Sequence, residues 1–159
     1  MAELTVGDPA PDFRIPAVTR QGETQLVLAD YRGKSSVVLY FYPKDDTPGC
    51  TTESCGFRDL LPDFEAAGSA VLGISPDDQA SHVKFAEKHA LPFPLLADTD
   101  HAVASAYGAW KEKNNYGKKY MGIERTTFVI DKEGKIAKIY LRVKVEAHVA
   151  KVLEFVRGL

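Results

Sequence analysis

The run Val37-Val38-Leu39-Tyr40-Phe41-Tyr42 is apolar throughout and rich in β-branched and aromatic residues. An alternating strand can leave one face to water, but a continuous apolar strand needs cover on both faces. Pro43 ends the run, because proline cannot donate to a strand ladder. The chain must therefore build a sheet with packed layers above and below this strand. Its later segments supply both strands and cover. Phe57, Leu60, Leu61 and Phe64 follow the i, i+3, i+4, i+7 spacing of a helix. Ala70–Ser75 reads as a second buried strand, Gln79–His89 as a surface helix and Phe93–Ala97 as a third strand. A short helix begins near His101, capped by Asp98 or Asp100. Thr126–Ile130 is a strand, and Asp131-Lys132-Glu133-Gly134 a hairpin turn. Ala137, Ile139, Leu141 and Val143 alternate with Lys138, Tyr140, Arg142 and Lys144, as on a half-exposed strand. Val145, Val149, Val152 and Val156 form one stripe of a closing helix. Before the buried run, Pro9, Pro11 and Pro16 punctuate extended arms and short strands, expected to form an N-terminal strand or hairpin extension to the sheet.

The order is α/β, with a mixed central sheet between helices on both faces. At 159 residues with no repeats or linker-like stretch, residues 1–159 are expected to form a single domain. Apolar residues at 45% and charged residues at 26% suit a folded globule. The net charge of −2 offers no electrostatic case for nucleic acid or an anionic membrane. Lys111, Lys113, Lys118 and Lys119 around Tyr116 read as a solvated loop. The N-terminal stretch has no basic segment followed by an apolar one, so no signal or transit peptide and a cytoplasmic location are expected.

The chain has 2 cysteines, Cys50 and Cys55. In a reducing compartment such a pair means redox chemistry, a metal site or inert packing. A metal site needs further ligands. His82 and His89 are read onto a solvated helix face and His101 and His148 stand alone, so no metal is expected. Asp98-Thr99-Asp100 is read as helix capping, since Ala102 and Ala104 break a calcium loop. No dinucleotide or phosphate-binding glycine pattern occurs, so no cofactor is expected.

The segment Pro43-Lys44-Asp45-Asp46-Thr47-Pro48-Gly49-Cys50 carries the chemistry. Cys50 follows the first buried strand and opens a helix, where unpaired N–H groups and the helix dipole stabilise a thiolate. Those N–H groups can also hold a bound oxygen in line with the sulfur. Thr47 offers a hydroxyl that can donate and accept, besides its use as a helix cap. Arg125, at the entry to the 126–130 strand, offers a guanidinium that never loses its charge. Glu53 supplies first-turn charge or orients Arg125, and both readings stand.

Pro43, Thr47 and Cys50 stand in the P-x-x-x-T-x-x-C spacing of the peroxiredoxins. Thr47-Pro48-Gly49-Cys50-Thr51, a second cysteine at +5 and Gly122-Ile123-Glu124-Arg125-Thr126-Thr127-Phe128 resemble the Q-type branch, the bacterioferritin comigratory proteins. The resemblance runs from Gly7-Asp8-Pro9-Ala10-Pro11-Asp12-Phe13 to the final helix. It implies a thioredoxin-like fold and reduction of hydrogen peroxide and organic hydroperoxides, with a thioredoxin-type electron donor. Position by position it implies Cys50 as the peroxidatic and Cys55 as the resolving residue, with Pro43, Thr47 and Arg125 completing the site. Relatives with a resolving cysteine on the next helix have it where this chain has Phe85 and Ala86. A monomer is expected. Two other readings share the fold. A thiol–disulfide oxidoreductase resembles C-x-x-C with a proline beside the hairpin strand, but here the spacing is C-x4-C and Thr126 holds that place. A non-enzymatic binding module such as a copper carrier would want C-x3-C.

Were residues 50–55 all helical, five residues would give ~7.5 Å of rise and put the two Cα atoms ~8.6 Å apart. A disulfide needs about 7 Å or less. Its closure is therefore expected to unwind the start of this helix. Gly49 and Gly56 bracket that segment, Thr51 and Thr52 are weak helix formers, and Pro62 is expected to interrupt the ladder further on.

Overall fold

A computed structural model describes residues 3–159. Met1 and Ala2, the start of the segment read above for targeting signals, lie outside the described residues. The strands are β1 (Arg14–Thr19), β2 (Gly22–Val27), β3 (Ser36–Phe41), β4 (Ser69–Ser75), β5 (Leu95–Ala97), β6 (Trp110–Asn115), β7 (Lys118–Ile123), β8 (Thr126–Ile130) and β9 (Ile136–Tyr140). The helices are α1 (Pro48–Ala66), α2 (Gln79–His89), α3 (Ala102–Ala106) and α4 (His148–Arg157). A 3-10 turn, Leu28–Tyr31, follows β2.

Seven strands form one mixed sheet in the order β2-β1-β5-β4-β3-β8-β9. The β3, β4 and β5 strands run parallel, and the remaining pairings are antiparallel. As its composition demands, β3 is buried along its whole length. Its odd positions Val37, Leu39 and Phe41 enter one core with Phe128, Tyr107 and residues of α3. Its even positions Val38 and Tyr40 enter the other, with Phe57 and Phe64 of α1, Phe85 of α2 and Val149 and Val152 of α4. The expected layering, helices on both faces of a mixed sheet with an N-terminal hairpin, is the observed one.

Several local expectations change. The 136–140 strand stops at Tyr140 instead of reaching Val143. Arg142 takes a left-handed φ of 49°, and Leu141 is 61% exposed rather than inward. The last helix starts at His148, so Val145 precedes it, while Val149, Val152 and Val156 do form its buried stripe. The lysine-rich segment is the β6–β7 hairpin rather than a loop. Its two-residue turn has positive φ at Tyr116 and Gly117, the geometry that matches strand twist. Tyrosine is a rare occupant there, so the turn gives little signal in the sequence. Pro62 lies inside α1, which continues to Ala66. Both expected α3 caps are used: Asp98 accepts from the N–H groups of Val103 and Ala104, and Asp100 from that of Ala102. No helix among the described residues is long and apolar enough to cross a membrane.

Candidate active site

The parallel strands β3 and β4 end side by side, and the loop 43–47 crosses from β3 into α1. Proline at the first helical position suits α1, since its missing N–H would be unpaired there anyway. Cys50 follows in the first turn and is fully buried. Thr47 is the N-cap residue by backbone geometry, and its carbonyl accepts the first helical bond from Thr51 N–H at 2.8 Å. Its hydroxyl does not cap the helix. It donates instead to the Lys44 carbonyl at 3.0 Å, which leaves the Thr47 oxygen as an acceptor beside the helix mouth. Pro43 lies exposed at the entry to this loop.

Arg125 sits between β7 and β8, and its carbonyl is held by Val143 N–H at 2.9 Å. Its guanidinium reaches across to α1. One nitrogen, Nη2, donates to Cys50 Sγ at 3.3 Å, and the other, Nη1, donates to Glu53 Oε1 at 2.7 Å. A Cβ on Gly49 would stand 3.2 Å from Nη2, a tight contact that glycine spares the guanidinium at the helix mouth. Glu53 therefore orients Arg125, which decides between the two readings of that residue.

Glu53 is fully buried, and its second oxygen, Oε2, has no hydrogen-bond partner. His148 Nε2 is 3.9 Å away, too far for a hydrogen bond, and bonds Thr127 Oγ1 at 2.9 Å. Burial pushes the Glu53 carboxyl up to about 7 against the opposing pull of Arg125. Burial, with the positive charges of Arg125 and Lys151, lowers the His148 imidazole to about 4.

Cys55 lies in the next turn of α1, half-buried, and both cysteines are free thiols. The helix is unbroken between them. Gly56, expected to loosen this segment, instead permits close packing. A Cβ there would stand 2.9 Å from Val149 Cγ2, so glycine lets α1 and α4 approach each other.

The structure thus brings together Cys50, Arg125 and Glu53, with Thr47 in the adjoining loop. Two histidines are placed differently from the sequence reading. His82 is fully buried rather than on a solvated face, and it bonds Asp45; His148 is not isolated but backs Glu53. The position of His82 three residues before Phe85, on the apolar stripe of α2, was the available signal. Among the described residues no cluster of potential metal ligands occurs.

The profile of the AhpC/TSA family matches residues 6–139. Peroxiredoxin Bcp of Bacillus subtilis is 51% identical over 98% of this chain and 97% of its own length. Peroxiredoxin Bcp of Escherichia coli K12 is 44% identical over 99% and 98%. Among solved structures, Xylella fastidiosa PrxQ superposes with a TM-score of 0.90 at 37% identity, covering 99% of this chain and 98% of that one. Xanthomonas campestris bacterioferritin comigratory protein, solved in work on its alkyl peroxide reduction activity, gives 0.84 at 43% identity over 91% and 90%. With the thioredoxin-like sheet and a cysteine–arginine pair at the mouth of α1, these matches make the chain a member of the AhpC/TSA family, in its Bcp/PrxQ peroxiredoxin branch of thiol peroxidases.

Proposed function

We propose that Cys50 is the peroxidatic nucleophile and Cys55 the residue that resolves its oxidised form. The contact of Arg125 Nη2 with Cys50 Sγ carries this reading, because it puts a permanent cation on the sulfur at a helix N-terminus. The thiolate attacks one oxygen of ROOH, the O–O bond breaks, and the products are Cys50 sulfenic acid and RO⁻, which takes a proton to leave as ROH. Arg125 and the first-turn N–H groups of α1 face the developing negative charge. The Thr47 oxygen, its own proton committed to Lys44, accepts from the hydroxyl hydrogen of the peroxide. Pro43 follows β3 and starts the loop that carries Thr47. The Cys55 thiol gives up its proton and attacks the sulfenic sulfur, hydroxide leaves and takes up that proton as water, and the disulfide remains. A dithiol donor of the thioredoxin type reduces it by exchange.

The substrate class is hydrogen peroxide and organic hydroperoxides, the latter supported by the alkyl peroxide activity named for the Xanthomonas relative. Residues 1–159 act as one domain and as a monomer, and no bound cofactor is used. Because α1 is continuous across both cysteines, disulfide closure requires its first turns to open.

Mass spectrometry with thiol labelling tests the assignment. One equivalent of peroxide should consume both thiols of the reduced protein without adding oxygen. Cys55→Ser should instead stop at a single added oxygen on Cys50, and Cys50→Ser should leave the peroxide unconsumed. Normal cycling of the Cys55→Ser protein with thioredoxin would remove Cys55 from the mechanism.

A further inference from the structure

The Lys44–Asp45 peptide group is fixed at both ends. Its carbonyl, on Lys44, accepts from Thr47 Oγ1 at 3.0 Å. Its N–H, on Asp45, donates to Asp77 Oδ2 at 2.7 Å. The orientation of this single plane therefore decides where the Thr47 hydroxyl points, and so which face of its oxygen is free.

What fixes the plane is a network beneath the loop. Asp45 is a carboxylate in the interior with both oxygens engaged. Oδ1 accepts from Tyr42 at 2.6 Å, and Oδ2 meets Ser81 Oγ at 2.7 Å and His82 Nδ1 at 2.7 Å. The other nitrogen of His82, Nε2, lies 2.8 Å from the Leu96 carbonyl, which can only accept. Nε2 therefore carries a proton, and the 2.7 Å contact between Nδ1 and Oδ2 holds a second, whichever atom bears it. The pair is an imidazolium–carboxylate or its proton-shifted equivalent, desolvated and charge-neutral. Buried pairs of this kind are rarely worth their desolvation as stability alone, and their best-attested use is to enforce one geometry. Asp77 is itself held by Ser75 Oγ at 2.9 Å. The network thus ties the loop to the carboxyl ends of β3, β4 and β5 and to the first turn of α2. Asp46, next in sequence with a φ of 61°, is bound in turn by Lys88 and His89 at the far end of α2.

We propose that His82, acting through Asp45, is a positioning residue for peroxide: the buried pair sets the Lys44–Asp45 peptide plane and thereby aims Thr47 at the oxygen bound beside Cys50. This rests on the assignment of Cys50 as the peroxidatic residue. Neither His82 nor Asp45 touches the sulfur or the substrate. Their removal impairs the step that needs an oriented peroxide and spares the reactivity of Cys50 toward an electrophile that Thr47 does not orient.

The test measures two rate constants on reduced protein in a Cys55→Ser background, where Cys50 alone reports. One is oxidation by hydrogen peroxide, the other alkylation by iodoacetamide. The variants are His82→Phe, which puts an aromatic ring without nitrogens in the same place, and Asp45→Asn. The latter keeps the shape and can donate to a neutral His82, so it dissolves the charged pair with little change in packing. Thermal unfolding checks that each is folded. The expected result is a fall of tenfold or more in the peroxide rate constant with alkylation within about twofold of the parent. Equal losses in both reactions, or a peroxide rate within twofold of the parent in a folded variant, would overturn the proposal. Should His82→Phe not fold, the Asp45→Asn ratio decides alone. A parent protein whose Cys50 ignores peroxide would instead remove the peroxidatic assignment itself.

Discussion

On the loop side of Cys50, Asp45 and His82 form a buried acid–histidine pair in which every polar atom has a partner. On the helix side, Glu53 and His148 form another that is incomplete. Glu53 Oε1 is held by Arg125, while Oε2 faces His148 at 3.9 Å with no hydrogen bond. A saturated network gains nothing by opening, because each group would only exchange one partner for water. An orphaned carboxylate oxygen gains hydration when its segment opens. The two flanks of one cysteine are therefore suited to different roles. In the mechanism proposed above, the loop before Cys50 keeps a fixed shape for peroxide, and the turns after it are the part of α1 that opens to release Cys50 toward Cys55.

The largest effect should come from breaking the contact that joins the two thiol-side charges. Arg125 serves Cys50 and Glu53 with separate nitrogens, at 3.3 and 2.7 Å. Lysine keeps the charge but lacks the planar fork that reaches the two acceptors with separate nitrogens. Arg125→Lys should lose about 2–4 kcal/mol of transition-state stabilisation, the scale for one preorganised donor. That is a fall of roughly 30- to 1,000-fold in the rate constant for peroxide. Stopped-flow oxidation of Cys50 measures it, and a rate near that of the parent would show that charge without the fork suffices.

The incomplete pair should also announce itself in the pH dependence of stability. Glu53 is raised from 4.5 to about 7 in the folded protein, so between those values the folded state holds the extra proton and stability falls as pH rises. His148 is lowered from 6.5 to about 4, so across that window the unfolded state holds the extra proton and stability rises with pH. The groups facing Glu53 are Arg125 from the β7–β8 junction, His148 from α4 and Tyr40 from β3, and only His148 titrates in this range. In the parent the two trends offset each other from about pH 4.5 to 6.5. Glu53→Gln removes the falling one. Its stability relative to the parent should improve by up to about 3 kcal/mol between pH 4.5 and 7, the free energy of the Glu53 displacement. Any fixed loss from weakening the Arg125 contact cancels, since only the pH dependence is read. Urea unfolding of both proteins at several pH values measures this, and parallel curves would mean that Glu53 titrates as an ordinary carboxyl.

The more legible parts of the molecule were those with a period or a spacing. The unbroken apolar run of β3 and the stripe of α1 announced the layered sheet, and the segment from Pro43 to Cys50 marked the cysteine that the structure pairs with Arg125. Arg125 was recognisable from its strand-entry motif, although its distance from Cys50 is a tertiary fact. The polar support was harder to read. His82 and Asp45 are 37 residues apart and meet only because β3, β4 and β5 end side by side. A buried histidine differs from a solvated one only through its neighbours on the stripe, here Phe85. The role of Gly56 was likewise hidden, because a helical glycine signals looseness in sequence and close approach in three dimensions.

That last point selects the variant for the smallest and most discriminating prediction. A stiffer first turn of α1 should slow disulfide closure without touching peroxide attack. Gly56→Ala cannot test this, because its Cβ would be driven against Val149 Cγ2 at 2.9 Å and perturb the α1–α4 contact. Thr52 is exposed, lies between the two cysteines, and its hydroxyl donates to the Pro48 carbonyl at 3.0 Å, a back-bond that slightly weakens helices. Thr52→Ala removes that competitor and gains helix propensity of about 0.5–0.7 kcal/mol. If α1 must unwind before the sulfurs meet, that stabilisation adds to the barrier and closure slows about two- to threefold. The Cys50 sulfenic acid then lives longer, and more of it proceeds to sulfinic acid at high peroxide. Rapid-quench mass spectrometry resolves both products, while the initial oxidation rate serves as the internal control. A Thr52→Ala protein that closes its disulfide as fast as the parent, with greater helicity, would mean that Cys55 reaches the sulfur by a path that leaves the first turns of α1 intact.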